Sequence, residues 1–252
     1  MKIITNERLA KRRRRQAFLA SMAGVAVLVI GLTVNLRATR GGEHAVEGLW
    51  VAYGALVLGS MLSWTGVVLT DRWAARPRAD EALEVGLKGA GRAYSLYNWC
   101  LPADHVLVAP WGLAVFTVFN HEGPIAIRGR RWRDRRSLLR RLFSFGRRAV
   151  RDPSKLLALE TGALARDLLE RDPDIGDVVV EGVALFAHPS ARLAVEAPSV
   201  PVVRLTEMRE WLRDEARRPA LSAARRRRLE RALQTMADER LAASAGRKPR
   251  TA

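Results

Sequence analysis

Residues 17–36 read AFLASMAGVAVLVIGLTVNL and residues 48–70 read GLWVAYGALVLGSMLSWTGVVLT, and neither run contains a charged side chain. Each has about the 20 residues that an α-helix needs to cross the hydrocarbon core of a bilayer. The two runs therefore predict a transmembrane helical hairpin over residues 17–70. A cleaved signal peptide and a buried helix pair are the alternatives, but the first run is long for a signal peptide and is followed by only a poor cleavage signal.

The charges that flank the two runs predict the orientation of the hairpin. The basic segment 1–16 contains Lys11 and four consecutive Arg before the first run, and Arg72, Arg76 and Arg78 follow the second. The loop 37–47 has as many Glu as Arg. Because cytoplasmic flanks carry the excess of Lys and Arg, we expect a multi-pass protein of a bacterial inner (plasma) membrane with both termini in the cytoplasm.

Small residues recur along the second run at Ala55, Gly59 and Ser63, one every four positions. Residues four apart lie on one face of a helix, and small side chains let two helices approach closely. This stripe is predicted to pack against the first helix.

The composition restricts the classes of partner and site. The chain has 252 residues, with 43 Lys and Arg against 26 Asp and Glu, which gives a formal net charge of +17. Such an excess attracts polyanions, either nucleic acid or anionic lipid. Cys100 is the single cysteine, and the four His (His44, His105, His121, His188) are scattered. We therefore expect no disulfide, no structural metal and no cofactor.

Beyond a short linker, 71–79, the pattern predicts an α/β domain with a mixed sheet over residues 80–216 and a basic helical tail over 217–252. Turn residues separate three of the predicted strands, which suggests an antiparallel meander. The predicted helices cover 81–88, 155–169, 206–216 and 221–243, and the strands cover 105–110, 112–119, 124–128, 178–187, 192–196 and 201–204.

A set of spaced residues in the domain resembles a known family. Glu84 lies on the short helix, Asp104-His105-Val106-Leu107-Val108 leads into a strand, and Asp152-Pro153 begins a later helix. Gly112, Asn120, Gly123, Trp132 and the strand to Phe186 complete the set. The domain thereby resembles the nuclease-related (NERD) domain, which implies a PD-(D/E)xK-like fold.

The resemblance implies a metal site that this chain has lost in part. In active members an Asp and a Glu-x-Lys hold Mg²⁺ and a water beside the scissile phosphate. Asp104 and Glu84 match two acidic positions, but Thr117 and Phe119 stand where the Glu and Lys belong. We expect Asp104 to serve a turn and Glu84 to lie on the wet face of its helix, without catalysis. The alternative is a tethered Mg²⁺-dependent nuclease that uses Asp104, Glu84 and a displaced base.

The stretch 128–151 contains eleven Arg and one acid, interleaved with Trp132, Phe143 and Phe145. It could bind nucleic acid, lie on a membrane with Leu138, Leu139 and Leu142 inserted, or simply be solvated. Tethering close to a bilayer favours anionic lipid headgroups first, with DNA or RNA second, and leaves any protein partner unidentified. The candidate polyanion-binding residues are Arg128, Arg130, Arg131, Arg133, Arg135, Arg136, Arg140, Arg141, Arg147 and Arg148.

Overall fold

The computed structural model describes residues 1–41, 45–73, 77–136 and 150–246. These residues form two compact units. One unit, called the hairpin below, consists of the described residues from Ala10 to Trp73. The other, called the α/β unit, consists of Met1–Leu9 together with the described residues beyond 76.

Two long helices confirm the prediction of two membrane-spanning candidates. Helix α1 covers Glu7–Ala38 and helix α2 covers Ala45–Trp73. Both are long and apolar enough to cross a membrane. Helix α1 begins ten residues before the predicted span, so the basic run from Lys11 to Arg15 is helical. The predicted basic segment 1–16 thus contains the beginning of α1.

A seam of small residues joins the two helices of the hairpin. The buried residues of α1 are Ala10, Ala17, Gly24 and Gly31, which recur every seven positions, as in a left-handed helix pair. A Cβ added at Gly24 would lie 2.4 Å from the Ser63 hydroxyl oxygen. The predicted packing of the small-residue stripe against the first helix is therefore confirmed.

The apolar stretches of the two long helices are mostly exposed. Only 17% and 11% of the most apolar windows of α1 and α2 are buried. Large side chains such as Trp50 and Met61 are 74% and 65% exposed. The core helices of a soluble protein bury such side chains, whereas a membrane helix presents them to lipid.

The α/β unit contains a mixed six-stranded sheet, which confirms the predicted α/β class. In spatial order its strands are β1 (Lys2–Thr5), β2 (Ser95–Asn98), β3 (His105–Ala109), β4 (Gly112–Phe119), β7 (Val180–Phe186) and β9 (Val202–Arg204). The pairs β2–β3 and β3–β4 are antiparallel, and β1–β2, β4–β7 and β7–β9 are parallel.

Strand β1 precedes α1 and was not predicted. It pairs with β2, and the backbone N–H groups of Lys2 and Asn6 donate to the carbonyls of Tyr94 and Asn98, each at 3.0 Å. The Asn6 side chain then accepts a hydrogen bond from the Leu9 N–H and caps α1. One residue therefore separates the sheet from the helix.

A second, three-stranded sheet has the order β6-β5-β8, with β5 at Gly123–Arg128, β6 at Arg131–Asp134 and β8 at Ala191–Glu196. The expected meander is therefore wrong beyond its second strand, since β5 pairs with β8 rather than with β4. Gly123 adopts φ +87°, a conformation that favours glycine, where the chain turns toward this second sheet.

Helices cover both faces of the six-stranded sheet. They are α3 (Ala79–Gly86), α4 (Ser154–Arg171), α5 (Met208–Glu215) and α6 (Ala223–Ser244). Helices α4 and α6 pack on the face of Val106 and Val115, and α3 and α5 pack on the face of Leu107 and Phe116. Alternation of side chains along β3 and β4 thus produces a three-layer core.

Candidate polyanion-binding site

The two acids that match the nuclease pattern lie on separate elements of the α/β unit. Asp104 comes directly before β3, and its backbone carbonyl accepts a hydrogen bond from the Trp99 N–H at 2.7 Å. Glu84 is half-buried on α3. Burial raises the pKa of Glu84, and the neighbouring Asp80 carboxylate raises it further. This hydrogen bond involves the backbone of Asp104, and the role expected for its carboxylate in a turn stays a prediction.

Thr117 and Phe119, the two residues that depart from the nuclease pattern, both lie on β4. Thr117 is half-buried on β4, where it pairs with Ala184 of β7. Phe119 stacks on Phe186, with ring centroids 5.1 Å apart. Phe119, at the position where the family pattern has Lys, therefore belongs to an apolar cluster. Within the described ranges, no group of three or more His, Cys, Asp or Glu is arranged to hold a metal ion.

An ion pair at the start of α3 was missed by the sequence analysis. Arg78 contacts Asp80 at 2.6 Å, and Asp80 is only 4% exposed. Burial raises the pKa of Asp80, although the Arg78 charge opposes that shift. The Arg78 guanidinium also lies 5.7 Å from the ring centre of Trp99, whose backbone N–H donates to the Asp104 carbonyl. The Arg78 guanidinium therefore contacts both the buried Asp80 carboxylate and the ring of Trp99.

A second candidate site is an open basic depression between β6 and the start of α4. Strand β6 alternates, so that Arg131 and Arg133 are exposed while Trp132 is buried. The turn before it contains Gly129 at φ +52°, which tightens the connection from β5. The residues that line the basic depression are Arg130, Arg131, Trp132, Arg133, Arg151, Asp152 and Lys155.

Asp152, the one carboxylate among the lining residues, is hydrogen-bonded to other groups of the protein. Asp152 accepts hydrogen bonds from the Ser154 N–H at 3.0 Å, the Ser154 hydroxyl at 2.7 Å and the Ser199 hydroxyl at 2.8 Å. It also pairs with Arg130 at 3.2 Å. Burial raises the pKa of Asp152, but these hydrogen bonds outweigh burial and hold the pKa below its ordinary value.

Four cations remain around the basic depression. Arg131, Arg133, Arg151 and Lys155 are all exposed, and the part of the chain that the structure describes offers none of them an ion-pair partner. An excess of unpaired cations on an open surface attracts phosphate groups. Arg151 and Lys155 were not among the predicted residues, although both flank the Asp-Pro-Ser helix start.

The other predicted arginines have different environments. Arg128 pairs with Glu196 at 2.9 Å on the surface. The Arg136 side chain is 7% exposed and contacts Asp134 at 2.6 Å, so it has a structural partner. Arg135 is exposed, whereas Arg140, Arg141, Arg147 and Arg148 lie outside the described residues, as do Leu138, Phe143 and Phe145.

Trp132 belongs to the protein core. Its side chain is 7% exposed and stacks on Phe186 with ring centroids 6.0 Å apart. Base stacking requires an exposed aromatic face. The arrangement therefore presents cations, and not this aromatic ring, to a ligand.

Comparisons with protein-family models, with curated proteins and with solved structures found no match for this chain. No activity can therefore be carried over from a relative, and the chemistry of the two sites is the basis for a function.

Proposed function

We propose that this chain is an integral membrane protein whose α/β unit binds an anionic membrane surface without catalysis, in a binding or scaffolding role. The observation that carries the proposal is the set of exposed cations around the basic depression: Arg131, Arg133, Arg151 and Lys155. Each Lys or Arg close to an anionic leaflet contributes about 1 kcal/mol. Four such groups would contribute up to about 4 kcal/mol, enough for a tethered domain.

Two contacts support a hairpin with both ends on one side of the membrane. Strand β1 precedes α1 and pairs with β2, which follows α2, so the chain leaves and re-enters one sheet. Within the hairpin, the Arg14 side chain donates to the Trp73 carbonyl at 3.0 Å. The basic flanks favour the cytoplasmic side of an inner (plasma) membrane for that sheet.

Lipid headgroups fit the basic depression better than nucleic acid does. Sequence-tolerant binding of single strands uses exposed aromatic rings between cations, and Trp132 is buried against Phe186. A membrane anchor also holds the cations near an anionic leaflet at all times. Nucleic acid remains an outcome that the experiment below would reveal.

The likeness to NERD domains is part of the proposal. It is supported by the observed succession of α3 with Glu84, the β3–β4 hairpin after Asp104, helix α4 and strand β7. Thr117 and the stacked Phe119 support a domain that has lost the nuclease reaction. Cleavage of DNA or RNA that needs Mg²⁺ and is lost in Asp104→Ala would replace this proposal with the nuclease alternative.

The proposal is tested with the full chain in nanodiscs of neutral phosphatidylcholine. These are mixed either with liposomes that contain phosphatidylglycerol or with DNA and RNA oligonucleotides, and retention is measured against salt concentration. We expect retention by the anionic liposomes that weakens as salt rises, because the contacts are between charges.

A matched pair of triple variants locates the binding surface. Alanine at Arg131, Arg133 and Lys155 removes about 3 kcal/mol and weakens retention about a hundredfold. Alanine at Arg192, Arg209 and Arg227 removes the same charge from exposed positions elsewhere and has a much smaller effect. Equal losses from both triples, or retention by nucleic acid alone, would overturn the proposal.

A further inference from the structure

Helix α4 carries leucines on both of its faces. Leu157, Leu164 and Leu168 are at most 2% exposed and form part of the core. On the outer side, Leu156, Leu159 and Leu169 are 47%, 71% and 40% exposed. Leu159 is the most exposed large apolar side chain among the described residues of the α/β unit. A helix of a soluble domain has polar residues on its outer face, so this side of α4 is unusual.

The exposed residues form a continuous stripe. Lys155, Leu159, Gly162, Arg166 and Leu169 follow one another at intervals of three or four and are all exposed, which puts them on one side of the helix. We call them, with Leu156, the α4 stripe. Between its two cations the only acid is Glu160, which is half-buried. Basic and apolar groups therefore dominate the first three turns of the outer face.

The α4 stripe is continuous with the basic depression, since Lys155 belongs to both. Leucines flanked by Lys and Arg are the chemistry of a helix that lies at the boundary between headgroups and acyl chains. Nucleic acid would satisfy the cations but would leave Leu159 in water. The combination is complementary to an anionic bilayer, which has phosphate groups above an apolar layer.

We propose that the α4 stripe lies on the bilayer that holds the hairpin, with Leu156 and Leu159 at the headgroup–acyl boundary and the cations of the basic depression on phosphates. This inference rests on the proposed function and adds a membrane-facing element to it. A tethered domain needs few such contacts, because the anchor makes docking intramolecular.

The experiment reads the depth of position 159 in the full chain. Leu159→Cys is labelled with bimane in folded protein, where Cys100 is fully buried and its pKa is raised by burial to about 11. The protein is reconstituted in phosphatidylcholine alone or with added phosphatidylglycerol. Quenchers are iodide in water and a lipid with a nitroxide near the headgroup end of its acyl chain.

Val85→Cys is the matched control, because Val85 is 63% exposed on α3, which covers the opposite face of the sheet. In anionic bilayers we expect lipid quenching at position 159 to exceed that at position 85 by about twofold or more, with weaker iodide quenching. Equal quenching at the two positions would overturn the inference. Protection from iodide without lipid quenching would also overturn it, because a protein would then cover the α4 stripe.

A second comparison separates this inference from the proposed function. Leu156→Gln with Leu159→Gln alters two exposed side chains and keeps every cation, and it should reduce retention by anionic liposomes several-fold in the nanodisc assay. If only the Arg131, Arg133 and Lys155 triple variant weakens retention, the proposed function stands and the α4 stripe is not its membrane contact. If neither set weakens retention, both fail.

Discussion

Proline substitutions in β1 test whether the segment before α1 is a stably paired strand of the sheet. In a parallel ladder, alternate residues of an edge strand turn their backbone groups toward the partner strand. Lys2 and Asn6 donate to β2, so Ile4 must also donate to it, toward the carbonyl of Leu96, whereas the N–H of Ile3 faces away. Ile4→Pro removes a ladder donor, and Ile3→Pro does not.

The magnitude follows from what Ile4 contacts. Leu96 is fully buried, and an unsatisfied buried carbonyl costs about 1–3 kcal/mol. Loss of part of the Ile4 side chain from its contact with the core adds about 1 kcal/mol. Ile4→Pro should therefore destabilise this edge by about 2–4 kcal/mol. Ile3→Pro should cost about 1 kcal/mol or less, because an edge strand tolerates proline where the N–H faces solvent.

Cys100 provides the assay. Its sulfur lies 3.6 Å from the Ile4 carbonyl oxygen, it is fully buried, and burial raises the pKa of its thiol to about 11. Labelling in the native protein therefore requires local opening. Ile4→Pro should accelerate labelling by about thirtyfold to several hundredfold, and Ile3→Pro by about fivefold or less. Equal labelling rates in the two variants would refute the assigned register.

Two further predictions concern the hairpin and the second sheet. Gly24→Leu would force a side chain against Ser63 and should destabilise the hairpin by about 1–3 kcal/mol in an SDS titration. Gly54→Leu is the control and should not destabilise the hairpin, because a Cβ at Gly54 meets nothing within 4 Å. Equal effects of the two substitutions would contradict the packing of small residues between α1 and α2. Burial raises the pKa of Asp134, but hydrogen bonds from Arg136 outweigh burial and hold the pKa below its ordinary value of 3.8. The Asp134 carboxylate therefore stabilises the folded protein above pH 3.8, and this stabilisation is lost as pH falls through the lower pKa of the folded state. In urea unfolding, Asp134→Asn should be less stable than the parent at pH 7, and the difference should narrow in acid; a constant difference would exclude this ion pair as the cause.

The sequence predicted the elements whose signal is local and long. The charge-free runs and the spacing of Ala55, Gly59 and Ser63 depend on composition and helical periodicity alone, and the structure confirms the two helices and their seam. Strands β1 and β2 have four residues each, too few for a periodic signal, and their pairing joins distant parts of the chain. Only the tertiary structure could show that they are neighbours.

The candidate sites show the same limit. The sequence shows the positive charge of the 128–151 stretch. It does not show that Arg136 pairs with Asp134 whereas Arg131 is exposed without an ion-pair partner among the described residues, because such pairs form only in the folded protein. The pair of Arg78 with a buried Asp80 was missed because surface helices often begin with such residues. The exposure of Leu156, Leu159 and Leu169 on α4 could not be predicted either, because apolar spacing does not say which face of a helix is covered.

The pairing of β1 with β2 also sets an order of events during synthesis. Strand β1 is made first, yet roughly ninety residues, including α1 and α2, must follow before its partner exists. At 5–20 residues per second, that interval is on the order of five to twenty seconds. Throughout it, β1 has no partner strand, because β2 is its neighbour in the sheet. Both long helices are therefore made before the sheet can be completed, so the α/β unit cannot finish folding until the whole hairpin has been synthesised.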